Sequence, residues 1–494
     1  MAELFSTQTL IFALLGLPLV AAFTTLLLKD APVTRDAVSV GIGIITGFLS
    51  ILLFIQVRDG TDVSVELIQF VPGISIGFTP EPLGALFALV AGCLWPLATL
   101  YSAGYMRGAH ETNQTRFFFF YAIAIHAAMG IALADGLATL FIFYEIMTFS
   151  TYPLVTHKGN AEAKRSGRIY LGILVTSSVA FFLVGIIGVW TYAGTLEFVS
   201  GGVLEGRINP AYLPVLLGLF AFGIGKAALM PLHRWLPAAM VAPTPVSALL
   251  HAVAVVKAGV FSVLKVAIYI FGIDFLFETG ASDWLVWVAC FTLISASIVA
   301  ISKTNLKARL AYSTISQLAY VVLGAALATN LAAQGAALHI IMHAAGKITL
   351  FFCAGAIYVA HHKIDIRDMD GLGRKMPITF ACFALGALSI MGIPPLGGSW
   401  SKFMLMAGAL EAGHVFVIVV LMVSSLLNVY YLGQPVIRAF FAADNNADKN
   451  KDTAQTIEEA PLTMLIPLMM TAIASIALFF FADYFVLSFN GAGL

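Results

Sequence analysis

Runs of about twenty apolar residues recur along this chain, and each is long enough to cross the hydrocarbon core of a bilayer. Fourteen such stretches begin near residues 9, 36, 82, 117, 137, 169, 212, 244, 283, 308, 335, 377, 414 and 461. Lipid offers no partners to backbone polar groups, so each segment must close its own hydrogen bonds as a helix. The expected fold is therefore an all-α polytopic membrane protein of about 14 transmembrane helices. Composition agrees: 60% of the 494 residues are hydrophobic and 11% charged, against about 45–50% and about 25% in soluble domains. The first run, Thr9 to Leu28, is of spanning length and no small-residue cleavage site follows it, so it reads as an anchor. Two boundaries are weakly marked. Only Asp135 and Gly136 interrupt the fourth and fifth spans, and the seventh contains prolines.

Basic residues test the count. Of the 26 lysines and arginines, nineteen fall in loops after odd-numbered spans and only Arg58 and Arg207 in loops after even-numbered ones. The remaining five are Lys226, Lys257, Lys265, Lys347 and Lys402, inside or at the edge of spans. That asymmetry makes the odd-span loops cytoplasmic and puts both termini outside. The longest hydrophilic run, Ala442 to Glu459, suits a solvated cytoplasmic loop.

Several function classes are disfavoured. Net charge is zero, so no basic patch suggests a nucleic-acid partner. Cys93, Cys290, Cys353 and Cys382 form no CxxC and give no metal or iron–sulfur spacing. No Gly-rich fingerprint opens a helix after a strand. The expected cofactor and metal complement is none.

The informative residues are the ionisable ones inside spans. A lysine at the centre of a spanning helix costs about 2.5–3.5 kcal/mol, so four cost roughly 10–14 kcal/mol, a burden without structural justification. The fifth span, FIFYEIMTFSTYPLV, carries Glu145 as its one charge. A carboxyl neutralised by burial and a carboxylate paired with Lys226 of the seventh span are the two readings. In the seventh span, Pro231 and Pro237 predict a helix break just after Lys226. His251 and Lys257 of the eighth span, six residues apart, do not share a face and address successive pockets. In the eleventh, HIIMHAAGKITLFF sets His339, His343 and Lys347 at i, i+4 and i+8, about 6 Å per step along one face. Core histidines bonded to carbonyls are the bland reading; a stacked proton wire is the reading preferred. A metal site fits poorly, because lysine is a weak ligand and no acid or thiol is near in sequence. In the twelfth span Gly392, Pro394, Pro395, Gly397 and Gly398 demand a break, with Lys402 just beyond. Two proline-broken spans, each with a lysine beside the break and five spans apart, suggest internal repeats in which spans four to eight are echoed by nine to thirteen. Three residues receive plainer readings. Lys265 is expected to snorkel to the interface, His126 to sit satisfied in the core, and Asp135 to be an exposed cap or a proton-uptake carboxylate.

The run PLHRWLPAAMVAPTPVSALLHAVAVVKAGVF, with Glu145 two spans earlier, resembles the antiporter-like subunits of respiratory complex I and of Mrp-type multisubunit cation/proton antiporters. KTNLKARLAYSTISQLAYVVLG, HIIMHAAGKITLFF and GIPPLGGSWSKF match the same family in the same order, and the likeness covers about residues 75 to 440. It implies two inverted five-helix repeats with discontinuous seventh and twelfth helices. The chain then divides into helices 1–3 (1–115), a first repeat (116–272), a second repeat (273–440), and a cytoplasmic loop with helix 14 (441–494). It also implies that Glu145 and Lys226 are a switching ion pair, that His251 and Lys257 continue the path, that His339, His343 and Lys347 join the two halves, and that Lys402 is the terminal site. The end at Leu494 resembles the shorter, subunit-D-like members, whereas the His–His–Lys set is closer to the larger ones. The implied function is proton translocation in a multisubunit Na⁺ or K⁺/H⁺ antiporter of a prokaryotic cell membrane, with other membrane subunits as partners. The alternative is a proton-pumping subunit of a complex I-like or hydrogenase-type redox complex. In either case the chain itself would hold no redox site. A scaffold or quinone-binding subunit with vestigial lysines is the third reading, and the intact charge line argues against it.

Overall fold

The computed structural model describes residues 6–61, 63–71, 74–442 and 457–486. Most of the expected cytoplasmic run, including Lys449 and Lys451, lies outside the described residues. All fourteen expected spans are helical. They are α1 (Thr7–Leu27), α2 (Pro32–Arg58), α3 (Pro82–Gly108), α4 (Gln114–Leu133), α5 (Leu137–Val155), α6 (Ala161–Ala193), α7 (Leu213–Gly223), α8 (Thr244–Phe271), α9 (Asp283–Ser302), α10 (Leu306–Ala326), α11 (Asn330–His361), α12a (Pro377–Met391) with α12b (Gly398–Glu411), α13 (Val415–Phe441) and α14 (Leu462–Phe480). Eleven of them are long and apolar enough to cross a membrane unaided. The other three are the broken α7 and α12 and the more polar α10, whose inward face carries Ser313, Thr314, Ser316 and Gln317.

Local chemistry sets the helix starts. The Ser6, Asn160, Asn305 and Thr329 side chains accept from the first-turn N–H groups of α1, α6, α10 and α11. Proline opens α2, α3 and α12a, where its missing N–H is harmless. One element departs from the all-helical expectation. Between α2 and α3 the chain forms an antiparallel hairpin, β1 (Val65–Val71) with β2 (Ile74–Phe78), registered Val65 to Phe78 and Gln69 to Ser75. It lies over the α4–α5 turn, where Phe78 bridges to Ala134 and the Gly77 N–H donates to Thr139 Oγ1.

α8 and α11 are buried on every side along their spanning stretches, while α1, α2, α6, α13 and α14 leave most of a face exposed. This inverts the soluble pattern. The two innermost helices are the ones that carry His251, Lys257, Lys265, His339, His343 and Lys347, and the outer helices shield those charges from lipid. At 32 residues α11 is about 48 Å long, and it runs without interruption past both halves of the broken α12.

Candidate functional site

The site begins where α7 fails. The helix ends at Gly223, a 3₁₀ turn runs over Gly225–Ala227, and Ala228 takes a positive φ of 56°. The break therefore falls just before Lys226, not after it, and the cause is packing more than proline. The indole Nε1 of buried Trp235 donates at 2.9 Å to the Gly225 carbonyl, which also accepts from the Ala228 N–H at 3.0 Å, and Pro231 and Pro237 come later in the irregular return. Gly259 of α8 lets the break approach: a Cβ there would lie 2.3 Å from the Lys226 carbonyl carbon.

Lys226 is fully buried. Its Nζ donates to the Tyr144 carbonyl at 2.8 Å and to Thr148 Oγ1 at 2.6 Å, and lies 3.1 Å from the Tyr144 ring centroid. The expected ion pair with Glu145 is not made. Glu145 lines an apolar groove with Phe119, Phe120, Phe141, Ile142 and Phe149, and its Oε1 has no hydrogen-bond partner. The i/i+1 offset explains the separation, because Tyr144 and Thr148 face the break while Glu145 is rotated about 100° from Tyr144 around α5.

Of the eleventh-span residues, His339 and His343 come together in one contact series, and Lys347 does not. Lys257 Nζ sits 2.6 Å from His343 Nδ1. The His343 and His339 rings stack with centroids 5.8 Å apart, His339 stacks on Tyr320 at 5.3 Å, and His339 Nδ1 lies 2.9 Å from Ser401 Oγ. The neighbouring Lys402 Nζ donates to the Met391 carbonyl, 2.9 Å away at the end of α12a, and to Ser425 Oγ at 3.1 Å. Here the break lies where the sequence puts it, over Gly392–Gly397 with Pro394 and Pro395 inside it. Lys347 points aside to Ser313 Oγ at 2.7 Å, which in turn meets Tyr431 Oη at 3.1 Å. His251 lies in a π-turn over Leu249–Val253, its ring 4.7 Å from Phe351, with neither ring nitrogen bonded to protein. Lysine, histidine and hydroxyl groups thus succeed one another through the centre of the bundle at hydrogen-bond or stacking distance. Each can take up or release a proton, or orient one.

Two of the three plainer readings fare differently. His126 is a satisfied core histidine, with Nδ1 2.9 Å from the Leu15 carbonyl. Lys265 does not snorkel. It is fully buried, with Nζ 2.6 Å from Glu81 Oε1 and 2.7 Å from the Ala134 carbonyl. Glu145 is therefore not the only acid within the bundle. Glu81 sits at the mouth of α3 between two prolines, where it reads as a loop residue, and the signal that would have found it is Lys265 falling eight residues after Lys257 on one face of α8. Among the described residues no three His, Cys, Asp or Glu side chains gather as a metal site, and the four cysteines are free.

A polytopic membrane protein with two interrupted helices and a titratable row between them is the class that fold and site define. Residues 134–428 match the family model described as NADH:quinone oxidoreductase/Mrp antiporter, transmembrane, and the chain belongs to that family. It is 34% identical over 365 residues to NAD(P)H-quinone oxidoreductase chain 5 of Synechocystis, covering 69% of this chain and 51% of that one. It is 35% identical over 352 residues to a component of the probable K⁺/H⁺ antiporter of Rhizobium meliloti, covering 70% and 34%. The chain thus spans about half or less of the length of these relatives. Its fold matches a chain of the archaeal membrane-bound sulfane sulfur reductase with a TM-score of 0.85 at 24% identity, over 98% of this chain and 97% of that one.

Proposed function

We propose that this chain is the proton-translocating subunit of a multisubunit Na⁺ or K⁺/H⁺ antiporter in a prokaryotic cell membrane. The observation that carries the reading is the unbroken contact series Lys257–His343–His339–Ser401 beside Lys402, since an uninterrupted row of titratable groups in lipid is costly to keep and useful for moving protons. Glu145 and Lys226 act as the switch. The structure holds them apart, and rotation of the Glu145 side chain toward the break would pair them and favour the charged lysine. A proton displaced from Lys226 passes toward His251 and Lys257, crosses the α11 face and reaches Lys402. The halves 116–272 and 273–440 serve as inverted repeats around that face, with odd-span loops and the Lys402 end on opposite sides of the membrane.

A second reading, a proton-pumping subunit of a redox complex, is supported by the likeness to the cyanobacterial quinone oxidoreductase chain. The native complex, solubilised in mild detergent and captured through this chain, separates the two. Small membrane subunits without flavin or iron identify an antiporter, and iron–sulfur or flavin subunits identify a redox pump. Lys226→Ala, assayed in the same complex, is expected to abolish proton movement; transport at the wild-type rate would sink the path in either setting.

A further inference from the structure

The Glu81–Lys265 pair lies outside the row described above, on the hairpin side of the bundle that the charge asymmetry makes external. Lys257, Phe261 and Lys265 stand at i, i+4 and i+8 on one face of α8, so the two lysines are about 12 Å apart along the helix. The interval is filled by Phe261, whose ring lies 4.8 Å from that of Phe87 on α3. Lys265 has no exposure, whereas the Glu81 side chain keeps 15% of its surface and so touches the external side. Two more titratable groups face the pair. Asp135, in the α4–α5 turn beneath the hairpin, accepts from Thr139 Oγ1 at 2.9 Å and from Ser75 Oγ at 3.5 Å. Tyr269, one turn beyond Lys265, holds a buried hydroxyl with no hydrogen-bond partner. A pair kept only for stability would not need a slightly exposed acid, a spare hydroxyl and a shared face with the central row.

We propose that Glu81 and Lys265 form a second proton-transfer station, a branch that leaves the buried row at Lys257 and opens to external water beside the hairpin. The proposal rests on the row being a proton path. The charged Lys265 gives a proton to the Glu81 carboxylate, so one N–H bond breaks, one O–H bond forms and the pair becomes neutral. Glu81 then releases that proton to external water. With the Phe261 ring turned aside, water admitted to the interval carries a proton from Lys257 Nζ to the neutral Lys265 Nζ, which restores the pair. Phe261 against Phe87 is the gate that keeps row and exterior from communicating continuously.

The test uses the native complex in sealed vesicles, with proton movement followed by a pH-sensitive dye and the amount of assembled complex measured in parallel. Lys265→Arg keeps the positive charge and the ion pair but cannot give up its proton. Glu81→Gln with Lys265→Met removes both charges at similar volume, a replacement that a merely structural buried pair tolerates. Both variants are expected to assemble at wild-type yield and to lose more than half of the wild-type transport, the share that leaves by Glu81 while the Lys402 outlet stays open. Transport within twofold of wild type in either one overturns the branch. His339→Leu, run alongside, reports on the central row by itself: its loss of transport beside an active Lys265→Arg would reject the branch and keep the row.

Discussion

Gly259→Ala puts the geometry of the α7 break under direct strain. The added Cβ would lie 2.3 Å from the Lys226 carbonyl carbon, 2.4 Å from the Ala227 nitrogen and 2.7 Å from the Lys226 oxygen, all of them backbone atoms that no rotamer change can move. Ordinary carbon contacts begin near 3.5 Å, so the break must retreat from α8 by about 1 Å. Lys226 Nζ now sits 2.6 Å from Thr148 Oγ1 and 2.8 Å from the Tyr144 carbonyl, and a shift of that size in its backbone displaces it from this seat. Overfilling a packed interior by one methyl costs about 1–3 kcal/mol, which a bundle of this size survives. Misplacing a reacting group by 1 Å costs on the order of 100-fold in rate. The expected result is a complex of near-normal yield and a slightly lowered melting temperature in detergent, with proton transport reduced roughly 100-fold by that scale. Dye-reported transport in vesicles, normalised to assembled complex, measures it. A Gly259→Ala variant retaining more than half the wild-type rate would refute the view that the exact seat of Lys226 controls the path.

Ser401→Ala removes the hydroxyl at 2.9 Å from His339 Nδ1 while leaving Lys402 bonded to Met391 and Ser425, and transport is expected to fall roughly fivefold with unchanged yield, a single orienting hydrogen bond being worth about 1 kcal/mol. Ser401→Thr is expected to restore most of it, and no loss in the alanine variant would take Ser401 out of the path. In the loop after α11, Arg367 donates to both Asp365 oxygens at 2.9 Å and holds that carboxyl below the usual carboxylate range. Its stabilisation is complete above the unfolded value of about 3.9 and is lost as pH falls toward the lower folded value. The small melting-temperature gap between wild type and Asp365→Asn is therefore expected to hold above about pH 5, to begin narrowing as pH falls below about 4 and to close only toward the still lower folded value, and a gap that widens on acidification would reverse the assignment.

The spans were legible because lipid leaves the chain little choice. A run of about twenty apolar residues has one low-cost conformation there, and all fourteen helices begin within about two turns of the sequence-based positions. The α11 face was legible for the same reason, since helical spacing alone puts His339, His343 and Lys347 in line. Partners were harder. Lys226 at hydrogen-bond distance from Thr148, with Glu145 turned into an apolar groove, depends on how α5 is rotated against the α7 break, and no local pattern encodes that rotation. Lys265 was misread because distance from the end of an apolar run stood in for depth. The π-turn over Ala267–Phe271 and the α3 mouth together cover it. The hairpin was missed because its alternation, VELIQFV, is short and sits between two dominant apolar runs.

The burial of α8 and α11 on all sides also bears on how the chain is made. A helix leaving the ribosome with His251, Lys257 and Lys265 finds α3 and α5 already synthesised, and Glu81 is among the residues waiting for it. The hydrogen-bond partner of Lys257, His343, is made some 86 residues later. α7, whose regular part is only 11 residues, is too short to hold its place in the bilayer alone. Integration one helix at a time would strand α7, and would leave α8, apolar enough to cross, with its lysines short of the His343 contact, so release of the middle of the chain into the membrane as a group once α11 has arrived serves both segments.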